Sequence, residues 1–248
     1  MSNNYSFKKD LIKSIKIANK SKGEYTYIFN PFFQEGIKIY ICSASIDWVL
    51  RYKKNRLNDF IAQKKLIEID IQDNIFLFIY YFYAFVCNDI WHIHKYIPKK
   101  INNIINIGAG IGLFELYLNH INKEVRHFCI IEKNDLDHNN ELIDVLGLAK
   151  KTIQTNSFEK KFSFYNDVNF KEIKNEFDLV LSFRSWCYKY DIEEYLDFVL
   201  RSITLKSVII IDIRKKYEEN KIIERFYDAN IITKYPDHNR YILKNYKG

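Results

Sequence analysis

The sequence predicts an α/β protein: a doubly wound, mostly parallel seven-stranded sheet with an N-terminal helical cap. Three observations carry this. From about Lys99 onward, short apolar runs alternate with amphipathic stretches, the pattern of strand–helix units building a parallel sheet. The run Ile104 to Ile107 passes directly into the glycine-rich turn Gly108-Ala109-Gly110-Ile111-Gly112. Residues 1–98 show helical periodicity instead, and no Gly/Ser linker separates them from residues 99–248, so they read as a cap packed on that sheet region.

Within the cap, helical spacing is expected over Phe7 to Ala18 and Trp48 to Glu68, with a strand-like stretch at Gly36 to Cys42 between them. The apolar run Ile75 to Cys87 is too short to span a bilayer and reads as a buried helix. The first sheet strand is Ile104 to Ile107, followed by a helix with Leu113, Leu116, Tyr117 and Leu118 at helical spacing. His127 to Ile131 is the second strand, ending at Glu132, and a helix over Leu136 to Leu146 is expected next. Strands at Lys161 to Tyr165 and Phe177 to Phe183, a helix at Ile192 to Ile203 and a strand at Ser207 to Ile213 complete the parallel part. A helix at Glu218 to Tyr227 then precedes two final strands, Ile231 to Lys234 and Arg240 to Leu243, joined by the turn formers Pro236-Asp237-His238-Asn239.

Composition narrows the function classes. With 48% hydrophobic and 28% charged residues, the 248-residue chain is a folded protein rather than a disordered one. The net charge of +7 invites a nucleic-acid reading, but the lysines are spread along the chain near Asp and Glu. Phosphate-binding surfaces need clustered positive charge, so a solvated surface is the better account. Cys42, Cys87, Cys129 and Cys187 are far apart and form no C-x-x-C pair, which argues against a zinc site or a disulfide framework. His92 and His94 would share a face only on a strand, and no third ligand is near, so no metal is expected. The first residues lack the apolar core of a secretory signal, and the expected location is cytoplasmic.

Glycine is needed after the first strand because a tight turn leaves no room for a Cβ and brings backbone against a ligand. The spacing matters: a dinucleotide fingerprint wants G-x-G-x-x-G, but position 113 is Leu and the third glycine is Gly112. This G-x-G-x-G after a buried strand resembles the first motif of class I S-adenosylmethionine-dependent methyltransferases, which share a Rossmann-like fold. The resemblance covers roughly residues 100 to 245. It implies an acidic residue gripping the ribose hydroxyls at the end of the second strand, where this chain has Glu132. A carboxylate suits that role because it accepts from both hydroxyls at once. Glycines serving only helix–strand packing would leave Glu132 unexplained.

By this resemblance the cofactor is S-adenosylmethionine, held by Asn106, Gly108, Ala109, Gly110, Gly112, Glu132, Lys133, Asn166, Asp167 and Ser182. Two residues before the first glycine the family often has Asp or Glu, and this chain has Asn106. The stretch from Leu181 through Tyr190 further resembles sugar O-methyltransferases of bacterial surface-polysaccharide clusters, with Cys187 in place of a Gly and Lys189 in place of a His.

Ligands of open α/β sheets sit at the carboxyl ends of the strands. That places the acceptor near Arg184, Trp186, Tyr190, Asp89 and Trp91, and the candidate catalytic groups are Lys189, Tyr188 and Asp212. Asp212 has a plainer alternative, an ion pair with Arg214. The leading expectation is O-methylation of a small molecule such as a sugar, nucleotide-sugar or polysaccharide, with homodimerisation left open. RNA or DNA methylation is the second reading, weakened because Ser182-Phe183-Arg184-Ser185 contains no proline. A noncatalytic binding protein of the same fold is the third, kept open by Asn106 and by the absence of histidine at 189.

Overall fold

A computed structural model of the chain describes residues 17–21, 24–29, 37–42, 86, 88–122, 124–136 and 142–248. Three antiparallel strands come first: β1 (Ile17–Ser21), β2 (Glu24–Phe29) and β3 (Ile37–Cys42). The strand-like reading of Gly36 to Cys42 matches β3, whereas Ala18, expected at a helix end, lies in β1. The rest of the expected helix from Phe7, the helix Trp48 to Glu68 and nearly all of the aromatic run from Ile75 fall outside the described residues. Helix α1 (Asn88–Ile93) then leads to the main sheet.

The sheet strands are β4 (Asn103–Ile107), β5 (His127–Ile131), β8 (Phe162–Tyr165), β9 (Phe177–Ser182), β11 (Ile203–Arg214), β12 (Phe226–Lys234) and β13 (His238–Tyr246). Their spatial order is β12-β13-β11-β9-β4-β5-β8, so the chain reverses direction of travel at β4. All neighbouring pairs are parallel except β11–β13 and β12–β13. The seven-stranded, mostly parallel sheet is therefore as the sequence predicts.

Side-chain alternation along each strand builds the two layers. Ile104, Ile130, Leu179, Leu181 and Ile210 face a core closed by α2 (Leu113–Ile121) and α3 (Val145–Thr155). Ile105, Ile131, Val180, Ile209 and Ile211 face the opposite core, closed by α4 (Glu193–Arg201) through Tyr195, Phe198 and Val199. Both faces are covered, which is why these strands read as nearly unbroken apolar runs.

Two expected helices differ from the fold. The one expected over Leu136 to Leu146 is instead a short hairpin, β6 (Asp135–Leu136) with β7 (Leu142–Ile143), followed by α3. The cause is Asp144, whose carboxylate caps α3 by accepting from the Gly147 N–H at 2.7 Å. It starts a helix there rather than sitting inside one. The helix expected over Glu218 to Tyr227 shrinks to α5 (Asn220–Ile223), because Phe226 is already buried in β12 and pairs with Tyr246. An extended segment, β10 (Ser185–Tyr190), follows β9 and runs beside β11 outside the sheet. Among the described residues no helix is long and apolar enough to cross a membrane.

Candidate active site

The turn from β4 into α2 holds Gly108, Gly110 and Gly112 at φ of 81°, 60° and 75°, a left-handed region that residues with a Cβ enter only under strain. At Gly108 the need is also steric: a Cβ there would lie 1.8 Å from the Ser185 hydroxyl oxygen. The Gly108 N–H donates to the Ile131 carbonyl at 2.8 Å, tying the turn to the end of β5. Glu132 follows immediately. Its Oε2 accepts from the Gly110 N–H at 2.5 Å and its Oε1 from the Lys133 N–H at 3.0 Å. Each carboxylate oxygen has a second lone pair, so hydroxyls of a ligand can join without displacing the backbone. Two features 22 residues apart in sequence thus meet at one point.

Beneath this turn lies a pair that sequence reasoning only half found. Asn106, on β4, faces α2 and donates from Nδ2 to Oε1 of Glu115, on the first turn of α2. Both side chains are buried, and Oδ1 of Asn106 and Oε2 of Glu115 have no hydrogen-bond partner. Burial is the chief reason that the Glu115 carboxyl is raised to about 7, and the nearby charge of Glu132 adds to the rise. A signal for Glu115 was present in the sequence. Leu113, Phe114, Leu116, Tyr117 and Leu118 are apolar all round the helix, so an acid among them has no face on which to escape burial.

The other expected cofactor residues divide. Ala109 lies in the turn, half-buried, between Gly108 and Gly110. Lys133 pairs with Glu194 and lies over the Tyr190 ring, 4.4 Å from its centroid. Asn166 closes a local turn by accepting from the N–H groups of Val168 and Asn169, and Asp167 is exposed beside it. Ser182 is fully buried; it donates to the Ile107 carbonyl at 2.8 Å and accepts from the Trp186 N–H at 2.9 Å. It braces the strand ends, with no surface toward a ligand.

On the other side of the sheet's carboxyl edge, a buried charged cluster gathers residues from four parts of the chain. Arg240 grips Asp212 through Nε to Oδ1 at 2.6 Å and Nη2 to Oδ2 at 2.9 Å, and reaches Asp89 of α1 through Nη1 at 2.9 Å. Arg184 donates to the other oxygen of Asp89 at 2.6 Å. Asp212 therefore pairs with Arg240, not with Arg214, which instead lies over the Tyr188 ring. The antiparallel register brings Arg240 opposite Asp212, a pairing hidden in the sequence, where Arg214 is the nearer cation. Burial disfavours charge on the Arg240 guanidinium, but the carboxylates of Asp89 and Asp212 outweigh it and hold its pKa above the ordinary value.

Trp186, expected to stack on a substrate, is fully buried, with its indole N–H donated to the Ile192 carbonyl at 2.8 Å. It has no free face to offer. The Tyr188 hydroxyl donates to Asp237 at 2.6 Å. Burial works against that carboxylate, yet hydrogen bonds from Tyr188 and His238 bring it down to about 2. Lys189 is exposed, 5.5 Å over the Tyr190 ring. Trp91 lies in α1 beside Asp89 in sequence. His92 ends α1 and His94 begins the short 3-10 turn after it, both exposed, and among the described residues no cluster suited to a metal ion occurs.

No protein-family model and no curated protein matches the sequence. Among solved structures, one assigned as an O-methyltransferase from Nostoc punctiforme superposes with a TM-score of 0.51 at 14% identity, covering 82% of this chain and 71% of that one. A structure assigned as a caffeoyl-CoA O-methyltransferase from Staphylococcus aureus gives 0.48 at 14% identity, covering 82% and 100%. The S-adenosylhomocysteine-bound methyltransferase of Podospora anserina gives 0.47 at 13%, covering 64% and 77%. This chain has the class I methyltransferase fold.

The residues present fit the cofactor which that methyltransferase fold implies. The left-handed glycine turn leaves backbone exposed where a side chain would intrude, and Glu132 holds acceptor capacity toward it. The unpartnered oxygens of Asn106 and Glu115 lie below the same turn and suit a cationic donor.

Proposed function

We propose that this chain is an S-adenosylmethionine-dependent methyltransferase that O-methylates a small molecule such as a sugar, a nucleotide-sugar or a surface polysaccharide. The observation that carries the reading is the contact between Glu132 and Gly110 at the carboxyl edge of the sheet. It joins the acid and the glycine turn that a nucleoside-bearing ligand needs together.

When bound, the cofactor supplies an electrophilic methyl group on a sulfonium, so the protein's main task is alignment. Glu132, beside the Gly110 N–H, would accept from the ribose hydroxyls, and the left-handed turn Gly108 to Gly112 would hold the ligand through its backbone. Residues 1–98 and the segment Arg184 to Tyr190 hold the acceptor. A sugar hydroxyl gains from a base. Of the candidates, Asp212 is committed to Arg240 and positions the cluster, whereas the Tyr188 hydroxyl already hands its hydrogen bond to the Asp237 carboxylate. Lys189 and Arg184 flank that segment and suit an anionic group on the acceptor. Cys187 has φ of 62°, so the position where sugar-specific relatives carry glycine keeps a glycine-like backbone here, which supports the sugar reading. The buried free thiols Cys129 and Cys187 suit a reducing, cytoplasmic setting.

Titration calorimetry with S-adenosylmethionine and S-adenosylhomocysteine tests this, beside a Glu132→Ala variant. Saturable binding that collapses in the variant, followed by label transfer from the methyl-labelled cofactor to a sugar-nucleotide acceptor, supports the reading. A folded wild type that binds neither ligand overturns it. A noncatalytic binding role is favoured by the burial of Trp186 and the saturation of Asp212, and cofactor binding without transfer to any acceptor would establish it.

A further inference from the structure

Two buried acceptors without donors belong to side chains that meet beside the glycine turn, Asn106 and Glu115. Asn106 spends its amide N–H on Oε1 of Glu115, which leaves its own Oδ1 and the other Glu115 oxygen without donors. Unpaired buried acceptors cost free energy until a donor arrives, and a pair of them, one a carboxylate, selects a cation with more than one N–H. Glu115 stands three residues after Gly112, the left-handed residue that starts α2, so it lies directly behind the turn.

We propose that Glu115, held by Asn106, anchors the ammonium group at the amino-acid end of the cofactor, an assignment that rests on the cofactor reading. The family's usual acid two residues before the first glycine is thereby replaced by a carboxylate carried on the facing helix, with the amide at 106 as its positioning partner.

The surroundings leave that carboxyl with little to compete for it. Asn106 faces it from β4, and Glu132 at the end of β5 acts on it through its charge. Phe114 on its own helix packs against Phe183 from the loop after β9, 5.1 Å between ring centres. In the unliganded protein the carboxyl is held at about 7 by burial and by the Glu132 charge. Binding an ammonium requires the ionised form, so below that pH the proton of Glu115 leaves to solvent as the ligand enters.

The test uses the full chain and two ligands that differ in the amino-acid end: S-adenosylhomocysteine, which carries the ammonium, and 5′-methylthioadenosine, which does not. Glu115→Gln is expected to weaken S-adenosylhomocysteine by about tenfold or more and to leave 5′-methylthioadenosine unchanged, which also shows that the variant folds. Adding Asn106→Asp to that variant moves the charge back to the strand and is expected to restore much of the loss. Wild-type affinity for S-adenosylhomocysteine falls roughly eightfold from pH 7.5 to pH 6, and the Glu115→Gln variant loses that dependence. Equal weakening of both ligands, or no change in either, overturns the assignment while leaving the cofactor reading in place. If the wild type binds neither ligand, the cofactor reading falls and this assignment with it.

Discussion

At the β4–β5 end of the carboxyl edge, Asn106 and Glu115 each keep an oxygen without a partner, whereas at the β11–β13 end Arg240 gives donors to both Asp89 and Asp212. Both groups are buried, and both involve residues on the sheet's strands. The first is incomplete and the second is closed. An incomplete buried polar group destabilises the free protein and is relieved by a ligand, while a closed one holds elements together and has little left to give. The contrast supports the proposed placing of the cofactor at the first region. It assigns to the second the fixing of α1 and Arg184 against the end of the sheet.

The largest effect should come from opening the closed region. Arg240→Met leaves Asp212 buried without its guanidinium partner and Asp89 with Arg184 alone, and urea denaturation should show a loss of about 3–5 kcal/mol. A loss below about 1 kcal/mol would mean that the cluster does not brace the fold.

Closing the incomplete region should do the reverse. The Glu115 carboxyl rises from 4.5 to about 7 on folding, so the folded state holds its proton longer. Stability from this group is complete below the unfolded value, declines as pH rises through that interval and is flat above it. Glu115→Gln removes the decline, and the unliganded variant should be more stable than wild type at pH 8 by up to about 3 kcal/mol, with no gain at pH 4.5. Equal denaturation midpoints at pH 8 would break the comparison.

Gly108→Ala should cost about 1–3 kcal/mol, since the new Cβ meets Ser185 and the backbone stays left-handed. Ser185→Gly in the same chain removes the clash but not the strain, so thermal melts should recover only part of the loss. The smallest change is expected from Tyr188→Phe, about 1 kcal/mol or less for one partly exposed hydrogen bond. Its sharper readout is Asp237, whose carboxyl should titrate above its present value of about 2 when followed by NMR.

Most of the sheet was legible because its strands are buried on both faces and so appear as apolar runs ended by Gly108, Glu132 or Arg184. The glycine turn and Glu132 were legible for the same reason: each stops a strand, and strand ends in such sheets carry ligands. Helix boundaries were harder where a capping residue such as Asp144 competed with apolar periodicity. Trp186 and Ser182 are fully buried, a direction that residue type alone does not give.

The sequence alone determined the alternation of strands and helices, the turn at 108–112 and the acid that follows β5, since these depend on local spacing and local backbone geometry. Tertiary structure decided what pairs with what. Asp212 meets Arg240 through antiparallel register, Asp89 joins them from a residue 151 positions away, and Glu115 finds Asn106 only because α2 packs on that face of β4. Pairing between buried charges follows from proximity in space, and a chain that folds back on itself makes distance along the sequence a poor guide to it.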